Sequence, residues 1–120
     1  MENENIKQIA EKWFAAFNEK NIDDLLSLYD ENAEHFSPKL KIRKPETQGL
    51  IKGRQQLYDW WNDAFDRLRS LRYKPNYFIV DKNKVFMEYV RSVDGEEDLV
   101  VGEVLFFKNG KIVASKVFHS

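Results

Sequence analysis

The residue best suited to acid–base chemistry in this sequence is Glu103. It lies between Val101 and Leu105, in a set of alternate strand residues that is otherwise apolar. A carboxyl group on an apolar face has to be paired, protonated or hydrated, because burial disfavours its charged form. We therefore predict that Glu103 lines a pocket, has a raised pKa and acts as a proton donor or acid–base group. The alternative is a shifted strand, with Glu103 in a salt bridge to Arg or Lys at a sheet edge.

Glu88 is a second acidic candidate, on the preceding strand. A hairpin with a two- or four-residue loop at Asp94 and Gly95 would place it on the same face as Glu103. Two carboxylates on neighbouring strands repel each other, so one of them would hold its proton more readily. Glu88 is therefore predicted either to complete an acidic pair in the pocket or to be neutralised by a basic side chain.

The two histidines are the other candidates for proton transfer. His35 has the same strand parity as Ser37, so both are expected to point into the same interior. A histidine near Glu103 can form an acid–base dyad, and the alternative for His35 is a purely structural hydrogen bond. His119 is one residue from the end of the sequence, where chemistry is rarely held. With two histidines and no cysteine, neither a metal site nor a cofactor is expected.

Aromatic side chains recur at helical spacing in the first half of the chain, which is typical of a buried core. A narrower interpretation assigns Trp13, Tyr58 and Trp61 to an aromatic cage around a flat, apolar ligand. The residues predicted to contact the ligand are Trp13, Phe17, Tyr29, Ser37, Tyr58, Trp61, Glu88, Val101, Leu105 and His119.

A basic run follows Pro38 and consists of Lys39, Lys41, Arg43 and Lys44. In a loop that also holds a second proline, these residues form either a lid that attracts an anionic ligand or an ordinary solvated segment. The sequence favours the solvated segment.

Composition excludes several classes of function. The 120 residues include 19 basic and 20 acidic side chains, for a net charge of −1, so no nucleic acid or anionic membrane is expected as a partner. The absence of cysteine excludes a disulfide framework and a thiol nucleophile. No apolar signal core or membrane span is evident, so a cytoplasmic location is expected. The size predicts one domain over residues 1–120.

The elements that must position these residues are helices in the first half and strands in the second. Apolar spacing predicts helices over residues 6–17, 22–29 and 54–71, the first capped by Asn3 or Asn5 and the second by Asn21. A short extended piece covers residues 33–37, and a loop covers 39–51. Strands are predicted over residues 77–80, 85–93, 99–107 and 112–118. This order indicates an α+β fold with helices against an antiparallel sheet.

The last hairpin leaves two registers open. A three-residue loop ending at Gly110 puts Ser115, Val117 and His119 on the Glu103 face, whereas a two-residue turn puts Lys116 and Phe118 there. In either register both sheet faces are largely apolar. We therefore expect the outer face to meet a second copy of the chain in a symmetric dimer, or to be covered by loops.

Several segments together resemble the nuclear transport factor two-like superfamily, in its SnoaL-like polyketide cyclase and ketosteroid isomerase branches. The resemblance is carried by residues 13–18 (WFAAFN), 23–29 (DDLLSLY), 33–38 (AEHFSP), 52–54 (KGR) and 106–112 (FFKNGKI). It implies a cone-shaped, half-open barrel of the cystatin-like type, in which a curved sheet wraps around the N-terminal helices. It also implies a pocket opening into the cone, and frequent dimers.

Most of the functional positions of ketosteroid isomerase are occupied by non-matching residues in this sequence. The general base falls on Ser37, which is no free base at neutral pH, and the oxyanion-donating phenol falls on Trp13. Only the protonated acid is matched, by Glu103. In the isomerase, an apolar site keeps this carboxylic acid neutral so that it can donate a hydrogen bond. The resemblance therefore argues against ketosteroid isomerisation.

Two functions remain from these observations. The first is a domain that binds a small apolar molecule and performs cofactor-free isomerisation, cyclisation or dehydration, with Glu103 and His35 as the acid–base pair. The second is a non-catalytic binding or dimerisation domain of the same fold, whose pocket is filled by its own side chains. The sequence alone leaves open whether the chain is an enzyme.

Overall fold

The computed structural model describes residues 2–119. These residues form four helices, one short 3₁₀ turn and six strands. In chain order these are α1 (Asn3–Glu19), α2 (Ile22–Ser27), β1 (Tyr29–Phe36), α3 (Pro38–Arg43), the 3₁₀ turn (Pro45–Thr47), β2 (Leu50–Lys52), α4 (Arg54–Arg67), β3 (Arg72–Asp81), β4 (Lys84–Ser92), β5 (Leu99–Lys108) and β6 (Lys111–Phe118). The α+β prediction is confirmed. None of the helices in this part of the chain is long and apolar enough to cross a membrane.

The helix caps confirm one prediction and correct another. Asn21 caps α2, because its side chain accepts a hydrogen bond of 3.0 Å from the backbone N–H of Asp24. The expected cap of α1 by Asn3 or Asn5 is wrong, since the helix begins directly after Glu2 and has no side-chain cap. The apolar face of α1 is nevertheless complete and lies buried against β3 and β4.

The predicted loop over residues 39–51 is wrong. It contains α3, the 3₁₀ turn and β2. The signal for α3 is the pair Ser37–Pro38, in which Ser37 accepts a hydrogen bond from the backbone N–H of Lys39 and proline occupies the first helical position. The loop is predicted because this segment combines many basic residues with a second proline.

Several further element boundaries differ from the predictions. Tyr29 begins β1 rather than ending α2, and α4 ends at Arg67 rather than at residue 71. The strand predicted over residues 77–80 begins earlier, at Arg72. It accommodates Pro75 because β3 is an edge strand with a register shift between Pro75 and Tyr77.

The six strands form one curved, unclosed sheet in the order β2-β1-β6-β5-β4-β3. All neighbours are antiparallel except β1 and β6, which run parallel. This pair departs from the expected all-antiparallel sheet, and it arises because β6 returns beside β1 at the centre of the sheet. The concave face packs on α1 and α4 and encloses the apolar core.

The register between β4 and β5 corrects the predicted position of Glu88. Met87 pairs with Glu103 and Glu88 pairs with Gly102. The last pair is Arg91 with Leu99, so seven residues (92–98) separate the paired strands. Because this number is odd, whereas both loops considered were even, the pairing is shifted by one residue. Glu88 therefore lies on the convex face, where its carboxylate accepts a hydrogen bond of 2.9 Å from the side chain of Asn76.

The last hairpin combines features of both predicted registers. Asn109 and Gly110 form a two-residue turn with positive φ angles of 52° and 80°. A bulge follows, because Phe106 pairs with Ala114 while Phe107 pairs with Ile112. The extra residue restores the parity, so Ser115 and Val117 share the concave face with Glu103. Lys116 and Phe118 point outward.

Candidate functional site

A cavity of about 290 Å³ opens at one end of the cone, between α3, α4 and the concave face of the sheet. Its lining includes seven of the residues singled out from the sequence: Phe17, His35, Ser37, Trp61, Val101, Glu103 and His119. The volume is at the small end of the range for ligand pockets. The cone therefore contains a cavity that these side chains line.

Five residues predicted to contact the ligand do not line this cavity. Trp13, Tyr29 and Leu105 are fully buried in the core, where the helical and strand spacing that suggested them also places core residues. Tyr58 is 37% exposed on the outer side of α4, so the proposed cage of three rings does not form. Glu88 is on the convex face, for the register reason given above.

Glu103 is buried in the wall of the cavity, and within the described part of the chain one of its two oxygens is hydrogen-bonded. The Tyr89 hydroxyl donates a hydrogen bond of 2.7 Å to Oε1. Oε2 is buried and has no hydrogen-bond partner among residues 2–119. Burial raises the pKa of Glu103 to about 8, although the hydrogen bond from Tyr89 opposes this shift. Burial therefore favours the protonated form of this carboxyl group at pH 7.

His35 lies in a different part of the wall and is held by a chain of hydrogen bonds. The Trp13 indole N–H donates to the Tyr29 hydroxyl (3.1 Å), and Tyr29 donates to the Ser115 hydroxyl (3.2 Å). Ser115 Oγ is 2.6 Å from His35 Nδ1. The ring tautomer decides which of the two atoms donates: with the ring proton on Nε2, Ser115 donates to Nδ1 and Nε2 is a donor.

His35 is neutral at pH 7, because burial lowers its pKa to about 3. Its ring also packs edge-on against Trp61, with 5.1 Å between the ring centroids. His35 therefore suits a hydrogen-bonding role better than that of a proton acceptor.

Glu103 and His35 do not form a direct dyad. His35 pairs with Ser115 and Ser115 pairs with Leu105, so His35 and Glu103 are two strands and two residues apart. Strand spacing places their Cα atoms roughly 12 Å from each other. They line the same cavity from separate walls and can meet only through a molecule bound between them.

The mouth of the cavity is basic. Lys39 and Arg43, one turn apart on α3, line it together with Arg67 and Arg91. Arg91 forms an ion pair of 3.0 Å with Glu96 in the β4–β5 connection. The sequence favoured a solvated segment for this basic run. Lys41 and Lys44 are indeed exposed, whereas the helical spacing of α3 brings the other two to the cavity.

The lining residues that were missed as candidates from the sequence include Tyr73, Tyr89 and Arg91. Tyr73 precedes the predicted start of its strand, so the strand pattern assigns it to no face. The β4–β5 register predicted from the sequence wrongly places Tyr89 and Arg91 on the face opposite Glu103. The alternation of Val85, Met87 and Tyr89 into one apolar set was a visible signal that this face is buried.

Within residues 2–119 no group of three or more His, Cys, Asp or Glu side chains comes together as a metal-binding set. The groups that a bound molecule would meet are the half-bonded Glu103 carboxyl, the His35 ring and the basic mouth.

Comparison with known proteins agrees with the fold. The sequence profile of the SnoaL-like domain matches residues 10–115, and the chain belongs to this family. No curated protein matches the sequence. Among solved structures, a SnoaL-like protein of unknown function from Burkholderia thailandensis is 21% identical with a TM-score of 0.86, covering 100% of this chain and 98% of that one.

Two further structures share the cone fold. TerC co-crystallised with polyporic acid is 18% identical with a TM-score of 0.83, covering 97% of this chain and 91% of that one. A protein of ketosteroid isomerase-like fold from Catenulispora acidiphila, in complex with trimethylamine, is 16% identical with a TM-score of 0.74, covering 93% and 85%. The fold thus belongs to the nuclear transport factor two-like group, as the resemblance implied.

Proposed function

We propose that this SnoaL-like domain binds a small, largely apolar molecule in its cavity and transfers a proton on it through Glu103. The observation that carries the proposal is the half-bonded state of that carboxyl: Oε1 accepts from Tyr89, while the buried Oε2 has no partner among the described residues. A buried polar atom without a partner costs free energy, and a ligand oxygen or hydroxyl at this point would supply one.

Glu103 suits proton transfer because its pKa is close to the working pH. A general acid or base is most effective when its pKa is near that pH, and burial brings this carboxyl to about 8. In its ionised form Glu103 would take a proton from an activated carbon, and in its protonated form it would return the proton to another atom. Isomerisation, cyclisation and dehydration all use such a transfer.

His35 would hold the oxygen of the bound molecule from the opposite wall. Its Nε2–H is fixed by the hydrogen bonds that run through Ser115 and Tyr29. A fixed donor of this kind stabilises negative charge that develops on an oxygen during proton abstraction. The surrounding rings of Phe17, Trp61 and Tyr73 limit the access of water.

Two observations argue that the reaction differs from ketosteroid isomerisation. Ser37, at the position of the isomerase base, is engaged as the cap of α3. Trp13, at the position of the phenol, is buried and donates its N–H to Tyr29.

TerC, a structure of similar fold, was crystallised with polyporic acid, and this supports a small organic molecule as the ligand class.

The test uses 2-tetralone, a bicyclic apolar ketone, and follows exchange of its α-protons for deuterium by NMR. Wild type is expected to accelerate the exchange, and Glu103→Gln to lose at least about tenfold of that acceleration, because the amide cannot accept and return a proton. Glu88→Gln makes the same side-chain change on the convex face and should retain the wild-type rate. Acceleration that is equal in wild type and Glu103→Gln would contradict the proposal.

A second function, association through the convex face, is favoured by the exposed side chains there. Tyr77, Ile79, Val100 and Phe118 are between 45% and 58% exposed on that face. Contiguous apolar side chains of this kind are typical of interfaces, and a second copy of the chain fits a symmetric sheet-to-sheet contact.

Sedimentation of the double variant Ile79→Lys, Val100→Lys tests this association. Wild type should sediment as a dimer and the double variant as a monomer of unchanged fold. The matched control Ile42→Lys alters an exposed apolar residue outside the sheet and should leave the dimer intact. A wild-type monomer at high protein concentration would contradict the association.

A further inference from the structure

We propose that the ligand of the cavity carries an anionic group, a carboxylate on a flat apolar skeleton, and that Lys39 and Arg91 bind this group at the mouth. The inference rests on the proposed function, because it assumes that the cavity is the working site. It adds the charge of the ligand and the direction in which the ligand enters.

The first support is the balance of charges around the mouth. Four cationic side chains line it: Lys39, Arg43, Arg67 and Arg91. Glu96 is paired with Arg91, and Asp63 lies 3.9 Å from Arg43 and 2.8 Å from Arg67. Among the described residues, Asp63 and Glu96 are the acidic side chains that form ion pairs with these cations. Positive charge therefore remains in excess around the opening.

The second support is the environment of Arg91. Its side chain is 9% exposed, so the guanidinium is held at the wall of the cavity rather than in bulk water. The ion pair with Glu96 engages one terminal nitrogen, whereas a guanidinium has five N–H donors. The planar arrangement of these donors matches a carboxylate, which can accept two parallel hydrogen bonds from it.

The third support is the repulsion between neighbouring cations. Burial lowers the pKa of Lys39, and the positive charges of Arg91 and Arg43 lower it further, against an opposing effect of Glu96. Like charges held together at a partly buried site destabilise each other. An anion bound between Lys39 and Arg91 would remove this repulsion. Arg67 and Arg43 are less suited to the same role because their side chains are 36% and 46% exposed, whereas that of Arg91 is 9% exposed.

The inner wall differs from the mouth in charge. Glu103 pairs with Met87, four residues from Arg91 along β4, which corresponds to roughly 13 Å. The protonated Glu103 is uncharged and offers a hydrogen bond, while the mouth offers positive charge. A molecule that fits both ends has a carboxylate at one end, an apolar body and an uncharged oxygen or activated carbon at the other.

The experiment compares 2-naphthoate with 2-naphthamide, two probes of nearly equal shape that differ in charge, by calorimetry at pH 7. Wild type is expected to bind the naphthoate about tenfold more tightly, and higher ionic strength should reduce this preference. Lys39→Gln should lower the preference at least about threefold and leave the affinity for the naphthamide unchanged. Lys41→Gln is the matched control, because it removes the same charge from an exposed position of α3. It should change neither affinity.

Each outcome distinguishes this inference from the proposed function. A preference for naphthoate that Lys39→Gln reduces and Lys41→Gln does not supports the anionic ligand. Equal binding of the two probes overturns it, while the cavity remains the binding site. An equal loss of preference in the two lysine variants also overturns it, since the effect would then come from overall charge. Binding of neither probe overturns it and argues against the proposed function as well.

Discussion

Two walls of one cavity each bury a titratable side chain, and they hold it differently. On the β1–β6 wall, His35 ends a chain of hydrogen bonds through Ser115 and Tyr29 to Trp13. On the β4–β5 wall, Glu103 has a bonded Oε1, while its Oε2 has no partner among residues 2–119. Burial opposes the charged form of both, lowering the pKa of His35 and raising that of Glu103.

The two side chains differ in how far their polar atoms are already hydrogen-bonded within the protein. A side chain whose polar atoms are bonded within the protein is fixed in orientation and contributes to a specific fold. A side chain with an unpaired polar atom retains a place for an external partner. For this reason we assign positioning to His35 and proton transfer to Glu103.

The largest expected effect is on the pH dependence of stability. Glu103 has a pKa of about 8 in the folded state and 4.5 as the reference value for the unfolded chain. The folded protein therefore binds more protons between these values, and the stability due to Glu103 falls as pH rises from about 4.5 to 8. In denaturant unfolding, the free energy of unfolding of wild type relative to that of Glu103→Gln should decline by on the order of 4 kcal/mol across this range.

Glu88→Gln is the control for this measurement and should keep the wild-type dependence of stability on pH. The pKa shift of His35 changes stability with pH in the opposite direction to that of Glu103. The pKa of His35 is lowered from 6.5 to about 3, so its contribution to stability is complete above pH 6.5 and is lost as pH falls toward 3. Wild-type and Glu103→Gln curves of the same slope between pH 4.5 and 8 would contradict the account of Glu103.

A smaller effect is expected from breaking the hydrogen bonds behind His35. Tyr29→Phe leaves the indole N–H of Trp13 without its acceptor and Ser115 without its donor in the core. We expect a loss of about 1–3 kcal/mol in the free energy of unfolding. In addition, the ¹⁵N shifts of His35 should move away from those of a single Nε2–H tautomer, which a merely structural loss would not produce.

Tyr58→Phe is the matched control, because the Tyr58 ring is partly exposed on the outer side of α4. It should change stability by less than about 0.5 kcal/mol. Unchanged histidine shifts in Tyr29→Phe would show that the chain of hydrogen bonds does not set the tautomer.

Much of the fold could be predicted from the sequence because its signals are local. The apolar spacing of α1, the Asn21 cap and the Asn109–Gly110 turn each specify their own structure within a few residues. The burial of Glu103 followed from the alternation of β5 around it. His35 and Ser37 both line the cavity, as their shared strand parity predicts.

The remaining features depend on register and on contacts between distant residues. The length of the β4–β5 connection decides the face of Glu88, and no local signal specifies it. The bulge in β6 decides the face of Ser115, whose partners Tyr29 and His35 are 86 and 80 residues away in sequence. The basic mouth depends on α3, because a helix brings Lys39 and Arg43 to one side and turns Lys41 away from them.

The most direct test of the central claim is an NMR titration of the Glu103 side-chain carboxyl in ¹³C-glutamate-labelled protein. Glu103→Gln and Glu88→Gln identify the two resonances. The account predicts a midpoint near pH 8 for Glu103, and a shift of its resonance, but not that of Glu88, when 2-tetralone is added. A midpoint near 4.5, with no response to the ketone, would contradict it.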